Sequence, residues 1–226
     1  MSIPYINGKY LLPCIINGMA VKRIYVNGRV EYIDQPKTLS DPVAQEVCVQ
    51  HFGLNGNLCS QLFHRVYSMG NWFQGRTDLV TFTELQGFSN LQTLGDDCFN
   101  GCTGLTDIKL PSSVTTILPR CFKDCASLTT ELWIPKVTVI NAEAFRGCRA
   151  LKKVDIGTRL SYIHALAFAD CDELENLTIH SFTPPKIAAN ILQNSPKCYV
   201  HVYQICINSY KSAENWESIK DRIVTM

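Results

Sequence analysis

The side chains in this sequence that could do chemistry are its eleven cysteines and five histidines. Closely spaced cysteines with imidazoles nearby are the raw material of a zinc site, and a thiolate beside an imidazole is a nucleophile. Cys98-x3-Cys102 and Cys121-x3-Cys125 have a ligand-like spacing. The rest of the sequence argues against reading them so. Cys102, Cys125, Cys148 and Cys171 recur every 23 residues, and Cys98 and Cys121 share a position that Ala144 and Ala167 fill further on. Alanine cannot ligate a metal, so that position asks for a small buried apolar group, which reduced cysteine supplies. Neighbouring thiols in such a column have parallel Cβ vectors, which make the disulfide torsion poor. His51, His64, His164, His180 and His201 are scattered, and none has a Ser, Cys or Asp partner in a recognisable catalytic context. A phosphate-binding loop, a dinucleotide fingerprint and a calcium loop are all missing from the sequence. Catalytic residues, cofactors and metal are therefore not expected, and a cytosolic thiol or zinc enzyme is the minor alternative.

The elements that position these thiols are repeats. Besides the cysteine column, Phe99, Phe122, Phe145 and Phe168 lie 23 apart, as do Leu105, Leu128, Leu151 and Leu174; Leu94, Ile117, Ile140 and Ile163 make a further column. Four columns in register over four copies predict a stack of equivalent coils. Within a copy, Leu105-x-x-Ile108-x-Leu110 spaces its apolar residues as a short strand does, and Leu151-x-x-Val154-x-Ile156 and Leu174-x-x-Leu177-x-Ile179 repeat it. One coil cannot close a core alone. Parallel strands of successive coils can, at about 4.8 Å per coil. In the second copy the pattern slips by one residue, to Leu128, Leu132 and Ile134, and a shorter turn after Pro135 restores it, so a local bulge is expected there. Phe73-Gln-Gly75-Arg-Thr77-Asp-Leu79 matches Phe99-Asn-Gly101-Cys-Thr103-Gly-Leu105 at a distance of 26, which brings the array to about five coils.

From about Trp72 onward these motifs resemble the BspA-like branch of the leucine-rich repeats. That pattern is an aliphatic residue, then Ala-Phe-x-x-Cys-x-x-Leu, then a strand closing on Leu-Pro. It is met here as Ile140-Asn-Ala-Glu-Ala144-Phe145-Arg-Gly-Cys148-Arg-Ala-Leu151, with Leu110-Pro111 and Ile134-Pro135 at strand ends. The resemblance implies an α+β, mainly β solenoid that serves as a binding scaffold. The family is associated with surface recognition, in bacterial surface proteins and in the tailed phages of such bacteria.

Binding positions are sought where residues vary while the core columns stay constant. Between the last two apolar strand positions stand Lys109, Trp133, Asp155 and Thr178 in successive coils. Trp133 is either an exposed anchor for a protein or a sugar or, turned by the slip, a packed side chain. Glu131, Lys152, Lys153, Glu175 and Asn176 are expected to form a polar rim around it.

Ahead of the repeats, Asn7-Gly8, Asn17-Gly18 and Asn27-Gly28 lie ten apart between apolar runs. Asn-Gly supplies the two positive φ angles of a tight hairpin turn, so residues 1–33 are expected to form a four-stranded antiparallel meander, with Pro13 at an edge. So small a sheet needs a partner surface, which could be the solenoid, a second copy or another protein of a larger assembly. This segment resembles virion or tail-associated modules of phages of gut bacteria. A linker is expected at 34–41 and a helical cap at 42–72, with Asp41 at the N-cap, Pro42 at the first helical position and a second helix from about Leu58 carrying Leu62, Phe63, Val66 and Met69. The solenoid is expected at 73–183 and a closing segment at 184–226, begun by Pro184-Pro185. Within it a strand Cys198–Val202 precedes a helix from Ile207 to Ile223 that carries Tyr210, Ala213, Trp216 and Ile219 on one face.

A net charge of +1 leaves no electrostatic case for nucleic acid, and no apolar run reaches membrane-spanning length. The N-terminus lacks the charged and apolar regions of an export signal, so synthesis in the cytosol is expected. The reading is a non-enzymatic recognition protein on a phage particle, in a fibre, a tail or a capsid decoration, that contacts a host-surface protein or glycan or self-associates. A bacterial cell-surface adhesin of the same fold is the alternative.

Overall fold

In this computed structural model the structure describes residues 39–53 and 60–226, together with strand backbone before them. Those first strands are β1 (Tyr5–Ile6), β2 (Lys9–Tyr10), β3 (Ile15–Ile16), β4 (Met19–Ala20), β5 (Arg23–Val26) and β6 (Arg29–Tyr32). They pair as three antiparallel hairpins, and the pairs Ile6 with Lys9, Ile16 with Met19 and Val26 with Arg29 flank the three Asn-Gly dipeptides. The hairpins expected from Asn-Gly are there, and β2 lies beside β5 as neighbouring strands of a meander would; the residues that join β2 to β3 and β4 to β5 lie outside the described residues. Pro13 and residues 34–38 of the expected linker lie outside the described residues.

Helix α1 (Pro42–His51) begins where Asp41 and Pro42 predict. One oxygen of Asp41, Oδ1, accepts from the backbone N–H of Val43 at 2.8 Å and of Ala44 at 3.2 Å, which satisfies two of the helix's orphan donors. The other, Oδ2, accepts from the N–H of Val80 at 2.8 Å and of Thr81 at 2.9 Å in the first coil. A single buried carboxylate thus starts the cap and pins it to the solenoid. Of the second helix the described residues show α2 (Ser60–Phe63), and Leu58, its expected start, lies outside them. Met69, expected on that helix, instead lies in β7 (Ser68–Met69), because the ladder that begins there offers its backbone a parallel partner.

Each coil contributes up to two short parallel strands, one more than the spacing of the leucines predicts. The remaining strands are β8 (Thr81–Phe82), β9 (Thr93–Leu94), β10 (Asp107–Ile108), β11 (Thr116–Ile117), β12 (Leu132–Ile134), β13 (Val139–Ile140), β14 (Lys153–Ile156), β15 (Tyr162–Ile163), β16 (Asn176–Ile179), β17 (Lys186–Ile187), β18 (Tyr199–Val202) and β19 (Ile223–Thr225). The first ladder runs β7-β9-β11-β13-β15-β17 and stacks Met69, Leu94, Ile117, Ile140, Ile163 and Ile187. The second runs β12-β14-β16-β18-β19. Between the ladders the phenylalanines form one pile: rings 73, 99, 122, 145 and 168 follow each other at 5.1–5.2 Å, tilted by no more than 11°. All five are fully buried.

The turn that carries each phenylalanine is held by left-handed residues in the same place of successive coils: Gly101, Asp124, Gly147, Asp170 and Asn194. Gly, Asn and Asp are the residues that tolerate that conformation best, which is why these types alternate there.

The slip near Leu132 has a larger effect than a bulge. Strand β10 pairs only with β8, and the second ladder starts afresh at β12. At the break Thr130 stands in for a backbone acceptor: its hydroxyl oxygen takes the Ile108 N–H at 3.3 Å and donates to Asp107.

The Pro184-Pro185 step does not end the array. Strand β17 continues the first ladder, and Leu192, Ser195 and Cys198 take the places of Phe168, Cys171 and Leu174, so a further coil precedes the closing segment. The single helix expected from Ile207 to Ile223 is broken into α3 (Ile207–Lys211), a 3-10 segment Trp216–Arg222 and β19. Two exposed sheet edges explain the break. Asn215, in a left-handed turn, donates from Nδ2 to the Ile187 carbonyl at 2.9 Å on the last strand of the first ladder, and β19 pairs with β18 to close the second. An unbroken helix could do neither. Tyr210 and Trp216 are buried beneath, with Trp216 Nε1 donating to the Pro185 carbonyl at 2.9 Å.

Candidate functional site

Strand alternation turns one side of the second ladder inward and leaves the other as a lattice of side chains. Leu132, Val154, Leu177 and Val200 point into the core, and so do Ile134, Ile156, Ile179 and Val202. Between these inward rows the register aligns Trp133, Asp155, Thr178, His201 and Val224 across five strands. On one side of that row lie Lys153, Asn176 and Tyr199, with Glu131 beyond; on the other lie Gly157, His180 and Tyr203.

Trp133 is turned outward and is 53% exposed, so the slip does not bury it. Its ring meets that of His180 at 5.7 Å with the two planes at 89°. His180 in turn meets Tyr203 at 5.8 Å, with Nδ1 3.2 Å from the phenol oxygen, and Phe182 stacks on Tyr203 at 5.0 Å and 14°. Thr178, in the same outward row, is 9% exposed. Beside them Lys153 Nζ lies 3.2 Å from Asp155 and 3.4 Å from Glu131, and these carboxylates hold its ammonium above the ordinary lysine range.

Of the residues singled out from sequence, the pairing brings together Trp133, Asp155, Thr178, Lys153 and Asn176, with Glu131 joined through its ion pair. Lys152 and Glu175 are exposed where β14 and β16 begin. Lys109 does not belong: it follows β10, which pairs with β8 and not with β12. The break at Thr130 separates it.

The thiols turn out to have a bonding role besides filling space. Cys102, Cys125, Cys148 and Cys171 each donate from Sγ to the carbonyl of the phenylalanine one coil earlier, at 3.0–3.1 Å. Ser195 continues the column, and its hydroxyl donates to the Phe168 carbonyl at 2.7 Å. Burial pushes the thiols of Cys102 and Cys171 up to about 12, and those of Cys125 and Cys148 well above the ordinary value. A thiol so placed is a poor nucleophile and a poor ligand. Among the described residues no group of three or more His, Cys, Asp or Glu could hold a metal. His64 Nδ1 does lie 2.7 Å from Ser89 Oγ, but the pair is exposed and among the described residues no carboxylate is bonded to that imidazole.

The BspA-type leucine-rich repeat region matches residues 72–199 in six copies, more than half of the chain. The chain belongs to the BspA-type leucine-rich repeat family. A solved leucine-rich repeat protein from Bacteroides ovatus ATCC 8483 is similar to it at 22% identity and a TM-score of 0.40, over 61% of this chain. The chain spans 43% of that neighbour's length. No curated protein matches.

In this leucine-rich repeat protein the turns on the phenylalanine side carry a second row of polar contacts. Arg120 grips Asp97 with two nitrogens at 2.7 and 2.8 Å, Lys123 pairs with Glu143 at 2.6 Å, and Arg146 bridges Glu143 and Asp170 at 3.2 and 3.0 Å. Those charges are matched to one another and knit successive coils. On the ladder face, sequence reasoning missed His180, His201, Phe182 and Tyr203. The signal available for His180 and Tyr203 was period: they lie 23 apart, two residues beyond Thr178 and His201 respectively. Phe182 has no counterpart in the period, and only its contact with Tyr203 reveals it.

Proposed function

We propose that this chain is a non-enzymatic recognition protein whose repeat domain presents the outer lattice of the second ladder to another macromolecule, and that it is borne on a phage particle through its N-terminal hairpins. The observation that carries the recognition reading is the exposed ring chain from Trp133 to Phe182. Trp133 and Phe182, at its two ends, are exposed and lie outside inward rows that are already buried, and large aromatic side chains held in place on a surface are the groups that dominate interface energetics. The column thiols favour the same view, because each is taken up in holding coils together. The particle reading draws on the likeness of the N-terminal segment to virion modules and on the need of small hairpins for a partner surface.

The test is direct. An antibody against the chain is applied to phage particles purified from the source of the sequence, with proteolytic mass spectrometry of the same fractions. The chain should co-purify with intact particles and label them at a defined place. Its absence from every particle fraction, with recovery from the surface of intact bacterial cells, overturns the particle reading in favour of a cell-surface adhesin.

A further inference from the structure

We infer that the outer lattice of the second ladder is a subsite for a neutral oligosaccharide, with Trp133 as the stacking platform, His180, Tyr203 and Phe182 extending it, and Asp155, Lys153 and Asn176 meeting hydroxyl groups. This rests on the recognition reading above and names its ligand class. A pyranose ring has an apolar C–H face and an edge of hydroxyls that donate and accept. It therefore needs an exposed aromatic face beside paired donors and acceptors, and both are met within one strand step. Trp133 is 53% exposed, and its ring stands perpendicular to that of His180, so the two rings are not stacked. Asp155 is the direct register neighbour of Trp133, and its carboxylate is met by Lys153 at 3.2 Å.

Two observations point to a neutral sugar. The charged cluster of Asp155, Lys153 and Glu131 adjoins the platform itself, where protein interfaces are depleted of charge; a flat protein partner would have to strip water from it without replacing the hydrogen bonds. The cluster holds one cation against two carboxylates, which disfavours sulfated or acidic glycans and leaves neutral ones. Successive rows advance by about 4.8 Å, comparable to the advance of one sugar in an extended chain, so neighbouring coils can meet neighbouring sugars. The rings are held by mutual contact before any ligand arrives, which lowers the ordering cost of binding.

The experiment titrates the full-length chain with cellohexaose, maltohexaose, xylohexaose, mannohexaose, laminarihexaose and chitohexaose, followed by calorimetry and by tryptophan emission. Trp133 is the most exposed of the three tryptophans, Trp216 being buried and Trp72 half-buried against His51, so a bound sugar should change its emission. At least one oligosaccharide should bind saturably. Trp133→Ala should weaken it by roughly tenfold or more and Phe182→Ala less, while Lys109→Ala, outside the second ladder, should leave it unchanged. Both aromatic side chains are exposed, so the variants should keep the wild-type circular dichroism and melting profile. Failure of all six to bind at millimolar concentration overturns the inference, as does binding that neither aromatic variant alters. A protein partner that binds in a Trp133-dependent way while the oligosaccharides do not overturns the sugar and leaves the recognition reading standing. Absence from particles does the reverse: it removes the particle reading and leaves sugar binding to be judged by the titration.

Discussion

The phenylalanine pile makes a quantitative claim that one substitution can break. Phe122 is fully buried and is stacked on both faces, 5.1 Å from Phe99 and 5.2 Å from Phe145. Truncation to alanine in a packed core costs about 3 to 5 kcal/mol, and each offset ring pair contributes about 0.5 to 1.5 kcal/mol beyond area. Phe122→Ala loses two such pairs, so its cost should fall in the upper part of the truncation range. Phe122→Leu is the informative control, because Leu192 occupies the equivalent place in the last coil and shows that a coil can close on an aliphatic side chain. It should cost about 1 to 2 kcal/mol, for lost ring contacts without a full cavity. Phe168 has a ring on one side only and leucine on the other, so Phe168→Ala should cost less than Phe122→Ala by about one pair contribution. Equilibrium urea unfolding of the full chain, followed by far-ultraviolet circular dichroism, measures all three. The central variant should also broaden the transition, since coils cohere only through their neighbours. Equal stability of Phe122→Ala and Phe122→Leu would refute the reasoning, for the volume that fills the pile would then count for nothing at this coil; a Phe122→Ala variant as stable as the wild type would remove the stacking contribution as well.

The remaining predictions concern the polar chemistry. Among the described residues nine cysteines are free and buried, so a disulfide-exchange reagent at pH 8 should titrate none of these nine in the native protein, and all eleven after denaturation; rapid native reaction at Cys148 would contradict its placement. The Arg120 guanidinium holds Asp97 below the usual carboxylate range, Lys123 does so for Glu143, and Asn194 with Arg146 for Asp170. Because these folded-state values lie below the unfolded ones, the stabilisation is present above the ordinary carboxylate values of 3.8 and 4.5 and is lost as pH falls through the depressed ones. Thermal melts should therefore drop below about pH 4.5, and Asp97→Asn should flatten part of that drop. Asp41→Asn retains the size of the side chain but replaces one acceptor oxygen by a donor facing N–H groups; it should cost about 2 to 3 kcal/mol and loosen protection of Val80 and Thr81 in hydrogen exchange.

Much of the fold was legible because a solenoid is read one coil at a time. The phenylalanine, cysteine and leucine columns identify buried positions directly: solvent exclusion demands the same chemistry at the same place in every copy, and the structure buries every one of them. Asp41 and Pro42 were equally legible, since helix starts are local. The C-terminal segment was misread for the opposite reason. Tyr210, Ala213, Trp216, Ile219 and Ile223 have helical spacing, yet β18 and β17 each presented an unpaired edge that had to be met, and satisfying both broke the helix. Likewise the leucine spacing reveals one strand per coil, whereas the first ladder is built from two-residue strands too short to show strand alternation, although their inward residues form the Leu94, Ile117, Ile140 and Ile163 column.

The sequence by itself determined that the chain stacks in coils, which side chains form the core, and that its column thiols are buried, because each requirement repeats with the backbone and acts between nearest neighbours. Only the tertiary structure decided the makeup of the outer face. It left Lys109 outside the second ladder, turned Trp133 to solvent, and joined it through His180 and Tyr203 to Phe182. Outward positions carry no burial constraint, so their types drift from coil to coil. Which of them meet depends on where the one-residue slip breaks the strand pairing and on how far each ring reaches across the coils.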